Sequence, residues 1–141
     1  RIKNNNYKRR IMRKLVVMLV LVFFSQISFA KDGDKSLLIK AKELIKDENF
    51  SEAIPLLKLY VKNLDESTSK EAYLELANIY FSLKNKTETL KIIKLAISKA
   101  GLTEEEFVYT DVLNAEVSNF VWKYFYENYD DLRKEYLKNN N

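Results

Sequence analysis

The chain contains no cysteine and no histidine, only two glycines and a single proline among 141 residues. Without cysteine there are no disulfides, no thiolate nucleophile and no thiolate-ligated zinc. Without histidine there is no imidazole general base, no Ser-His-Asp triad and no imidazole metal site. Two isolated glycines, Gly33 and Gly101, cannot form a phosphate-cradling loop. The reading therefore predicts no catalysis, no cofactor and no metal. Scarce glycine and proline also leave helices uninterrupted, and the composition (47% hydrophobic, 31% charged) suits a folded all-α chain.

The formal charge of +4 hides an asymmetry. The first 30 residues hold seven basic side chains (Arg1, Lys3, Lys8, Arg9, Arg10, Arg13 and Lys14) and no acidic one. The remaining 17 basic and 20 acidic residues leave the body at −3, which lacks the basic footprint of a nucleic-acid binder. Lys14 precedes ten unbroken apolar residues, Leu15 to Phe24, and Ser28-Phe29-Ala30 places small residues at the positions a signal peptidase reads. This pattern is a secretory signal peptide, residues 1–30, cut after Ala30. The apolar run is short of the roughly 20 residues that span a bilayer, so the membrane is expected to be met only before cleavage. No cysteine follows it to be acylated. Met12 is an ordinary start for such a segment, which would leave residues 1–11 upstream of the translated chain. The mature protein is expected to be exported, periplasmic or secreted.

Residues 31–36 form a polar leader. From Leu37 the apolar residues recur with a period near 3.6, predicting helices at 36–47, 50–63, 69–83, 86–99, 104–127 and 130–138, with a frayed tail at 139–141. Four capping pairs mark helix starts: Asn49 with Glu52, Thr68 with Glu71, Asn85 with Glu88, and Thr103 with Glu106. Gly101 falls at a helix end. Pro55 sits in the early part of its helix, where the lost donor would reach only Ser51.

Two helical hairpins superpose at an offset of 36: Leu37 on Tyr73, Ala41 on Ala77, Leu44 on Tyr80, Ile54 on Leu90, Leu57 on Ile93. The residues Ala72-Tyr73-Leu74, Leu76-Ala77-Asn78 and Tyr80-Phe81, with Asn49-Phe50-Ser51-Glu52-Ala53 earlier, resemble the tetratricopeptide repeat. Lys40, Lys86 and Thr89 depart from its consensus. The resemblance implies an all-α superhelix spanning 37–138, with hairpins at 37–64 and 69–100 and a diverged third, 104–138, as cap.

The resemblance further implies a protein or peptide partner lying along the first helices of the hairpins. Projected onto this chain, that groove includes Leu38, Lys42, Ile45, Leu74, Asn78 and Phe81. Leu38 and Leu74 stand where a carboxylate clamp would want a basic residue, so the surface suits an extended or helical peptide. Trp122, Tyr126 and Tyr129, spaced i, i+4, i+7, form a second stripe. Two readings of it stay open: an exposed patch that takes an apolar helix, or burial between the preceding repeat and the last helix. Self-association through the C-terminal hairpin would follow if a stacking face lacked its cover. The acidic runs Glu104-Glu105-Glu106 and Asp130-Asp131 read as helix-start charge rather than catalysis. The expected role is a scaffold or adaptor of the bacterial cell envelope. The alternatives are a terminal piece of a longer repeat protein or a small carboxylate-dependent envelope hydrolase.

Overall fold

Why the chain turns where it does is visible in two short connections. The computed structural model describes residues 35–63 and 69–140, and the expected signal peptide, most of the polar leader, Thr68 and Asn141 lie outside them. Helix α1 covers residues 35–46 and α2 runs Phe50–Asn63. At the connection, Glu48 adopts φ 55°, its N–H donates to Ile45 O, and the Asn49 N–H donates to Leu44 O at 2.8 Å. Helices α3 (Lys70–Ser82) and α4 (Lys86–Ser98) are joined by the same device. Lys84 adopts φ 60°, its N–H donates to Phe81 O, and the Asn85 N–H donates to Tyr80 O at 2.8 Å. Each left-handed residue and each bond recurs 36 positions on. Both turns are Schellman closures, in which a left-handed residue lets the last carbonyls of a helix find donors.

The packing repeats with the turns. Ala41 and Ala77 are fully buried, as are Ala53 and its counterpart Thr89, and Leu57 and Ile93. Thr89 occupies a position that suits alanine because its hydroxyl donates to Asn85 O at 2.9 Å, so no polar atom is orphaned. Asn85 caps α4 by accepting from the Glu88 N–H, and Pro55 leaves α2 continuous. Helix α3 is the centre of the domain. It packs on α2, α4 and the last helix, and its run from Leu74 to Tyr80 is buried except for half-buried Glu75. Such all-round burial requires the nearly continuous apolar sequence this helix has.

The C-terminal third departs from the expectation of a long helix followed by a short one. Helix α5 is a short segment, Glu104–Tyr109, opened by a complete capping box between Thr103 and Glu106. Residues 110–114 are non-helical, and α6 then runs unbroken over Ala115–Asn139. Asn128, where a break was expected, turns its amide back to Tyr124 O at 2.8 Å and stays helical. Asp130 and Asp131 therefore lie inside α6 rather than at a helix start, and Asp131 pairs with Lys134 one turn on. Helix α6 packs along α4 and touches α3. Among the described residues there are six helices and no strand, and no helix is long and apolar enough to cross a membrane.

Gly101 lies where this last helix closes against the corner after α4. Its φ is +68°, and a Cβ there would sit 2.5 Å from the ring of Tyr136 and 2.9 Å from the guanidinium of Arg133. Arg133 donates to Gly101 O at 2.7 Å and lies over the Tyr136 ring. Gly101→Ala is expected to lower stability by about 2–3 kcal/mol, since a left-handed backbone and a steric overlap both oppose it. Lys84→Gly should raise stability by about 0.5–1 kcal/mol, because it removes the side chain from a left-handed position. Urea unfolding followed by circular dichroism measures both.

Candidate binding surfaces

The segment 110–114 is held by one side chain. Thr110 leaves α5 in an extended conformation (φ −68°, ψ 138°), and its hydroxyl accepts from the Val112 N–H. The Asn78 amide then donates from Nδ2 to Val112 O at 2.8 Å and accepts at Oδ1 from the Asn114 N–H at 3.0 Å. Both ends of a nearly buried amide are thus satisfied by the backbone of an extended segment. Leu113 is buried in the same stretch.

This arrangement corrects the expected groove. Leu74 and Asn78 are buried, and Phe81 is half-buried with its ring 5.4 Å from that of Phe120 on α6. These α3 residues serve the chain's own C-terminal third. Leu38, Lys42 and Ile45 on α1 remain half-exposed, and the Lys42 ammonium pairs with Glu71 on α3. Lys42, Ile45, Glu75, Asn78, Asp111 and Asn114 line a polar cleft of about 570 Å³. The signal that foretells the break is a cluster of helix-opposing residues, Thr110, Asp111 and Asn114, inside an otherwise periodic run.

A second cleft, of about 670 Å³, lies between the start of α3 and α5. Leu74 and Leu102, both buried, Val112 and the much-exposed Tyr109 supply its apolar part. Lys70, Glu71, Glu105, Glu106 and Asp111 are its charged lining. Lys70 is already committed to Glu106 at 2.6 Å.

The aromatic stripe divides. Phe107 and Phe125 stack at 3.9 Å, fully buried, and form a floor. Trp122 and Tyr126 lie against it, 4.7 Å apart, and remain 49% and 39% exposed. Tyr129 is half-buried, stacked on Phe125, and its hydroxyl accepts the Glu104 N–H, tying α6 to the start of α5. Two of the three aromatics are thus presented to solvent, and the third is a strut. Val108 is also exposed, on α5. Among the described residues no group of three acidic side chains could hold a metal ion.

Two carboxyls are shifted in opposite directions. Burial pushes Glu75 above the usual carboxylate range, against the pull of Lys42 and the Asn78 amide. For Glu106, burial works upward too, but the Lys70 ammonium and the Thr103 hydrogen bonds together hold it below that range. A raised folded value means that the Glu75 contribution is fully present below the ordinary carboxylate range and is lost as pH rises through the raised value. A depressed value means that the Glu106 contribution is present above the ordinary range and is lost as pH falls through the depressed value. Glu75→Gln is therefore expected to stabilise the chain at neutral pH, with the gain vanishing in acid. Glu106→Gln should destabilise at neutral pH and be silent in acid. Urea midpoints at neutral and acid pH check both signs.

No protein-family model, no curated protein and no solved structure matches the chain.

Proposed function

We propose that the chain is an exported protein-binding scaffold of tetratricopeptide-like hairpins, working in the bacterial cell envelope. Its working surface in this reading is the Trp122–Tyr126 face, which receives the apolar side of a partner helix. Support for the repeat reading comes from the equivalence of the turns at 47–49 and 83–85 and of the buried residues around them. Support for export comes from the basic, then apolar, then small-residue order of the first 30 positions.

The observation that carries the reading is the exposure of two large aromatics in mutual contact over a stacked floor. Aromatic side chains with few rotatable bonds, held on rigid helices, are the residues that carry most binding energy in protein interfaces. Burying them against a partner also removes apolar area from water at about 25 cal/mol per Å². The groove on α3 is the weaker site, because Asn78 and Phe81 are engaged within the chain.

Trp122 is the only tryptophan, so its emission reports on this face directly. A photo-crosslinking residue in place of Tyr126, expressed in the host, is expected to yield one dominant protein adduct. The purified partner should blue-shift the Trp122 emission, and Trp122→Ala should weaken it at least about tenfold with unchanged circular dichroism. An absent adduct, or full affinity in Trp122→Ala, overturns the assignment of this face.

A further inference from the structure

The cleft between α3 and α5 is apolar at its base and acidic at its rim. Leu74 and Leu102 form a buried base, and Tyr109, 81% exposed, stands over it. Of the charged groups around it, Lys70 is neutralised by Glu106 and Glu71 is paired with Lys42. Glu105 and Asp111 are exposed and, among the described residues, form no direct ion pair, although Asp111 also acts on the Lys42 ammonium at longer range. The adjoining polar cleft shares Glu71, Asp111 and Val112 and is mixed in charge, with Lys42 and Lys46 beside Glu48 and Glu75.

We propose that this cleft binds a lysine- or arginine-bearing segment of a partner protein, at a site separate from the Trp122–Tyr126 face. The occupant is decided by charge and shape together. A purely apolar side chain would cover Val112 and the Tyr109 ring but bring no counter-charge to Glu105 and Asp111. An acidic one would meet like charge. Lysine and arginine have an apolar stem and a charged head, so the stem packs on Val112 and Tyr109 while the head reaches the carboxylates. Tyr109 adds an aromatic face to which a cation is attracted. A volume of about 670 Å³ accommodates one such side chain with its flanking backbone and a neighbouring apolar residue. The Lys70–Glu106 pair does not compete, since Glu106 is held both by the ammonium and by the Thr103 capping box.

The test is titration calorimetry of the full chain with two synthetic peptides. One is a short peptide alternating leucine and lysine; the other replaces each lysine by glutamate. The lysine peptide is expected to bind, and the glutamate peptide to give no heat of binding. Affinity for the lysine peptide should fall about tenfold or more in the double variant Glu105→Gln with Asp111→Asn, and fall with added salt, as charge-dominated contacts do. Both substitutions are near-isosteric at exposed positions, so circular dichroism is expected to be unchanged. The Trp122 emission is expected to stay unshifted as the lysine peptide binds, which separates failure here from failure of the aromatic face. Equal binding of both peptides, no binding of the lysine peptide, or full affinity in the double variant would overturn the proposal.

Discussion

The double hydrogen bond from the Asn78 amide to the backbone of Val112 and Asn114 is the joint on which the two halves of the domain meet. It comes from the most enclosed helix, where a polar group without partners would cost about 1–3 kcal/mol. That cost makes the position of the 110–114 segment obligatory rather than optional. With the segment fixed, Leu113 reaches the core, α5 stops at Tyr109 and α6 starts at Ala115 with its axis already set. The stack of Phe107 on Phe125, worth about 1 kcal/mol beyond its buried area, then locks α5 to α6 from the other side.

Both surfaces argued for above depend on this joint. The acidic cleft exists because α5 stops at Tyr109, which leaves Glu105 and Tyr109 lining it together with Leu74. The aromatic face exists because the floor of Phe107 and Phe125 is filled before Trp122 and Tyr126 are reached. An aromatic pair over a packed floor has little rotamer freedom left to lose on binding, which makes its contribution efficient.

The first four helices were legible in the amino-acid sequence, to within about a residue at each end, because local chemistry ends them. Asn85 caps the start of α4, Asn49 meets Glu52 at the start of α2, and Gly101 favours a left-handed exit after α4. The break at 110–114 was not legible in the same way. The apolar period runs straight through it, and the energy that opens it is supplied by Asn78, more than thirty residues upstream. Periodicity likewise marks Trp122, Tyr126 and Tyr129 as one stripe without saying that Tyr129 is claimed by the Glu104 N–H. The burial of Asn78 was hidden for the same reason: a polar residue on a helix reads as solvent-facing until its tertiary partner is known.

The closure of α6 on the corner at Gly101 has a consequence for what can reach α4. One side of α4 is covered by α6, and the covering helix is clasped at its far end by Arg133 and Tyr136 around Gly101. Any other segment that packs on that side of α4 must first displace Arg133 and Tyr136 from Gly101.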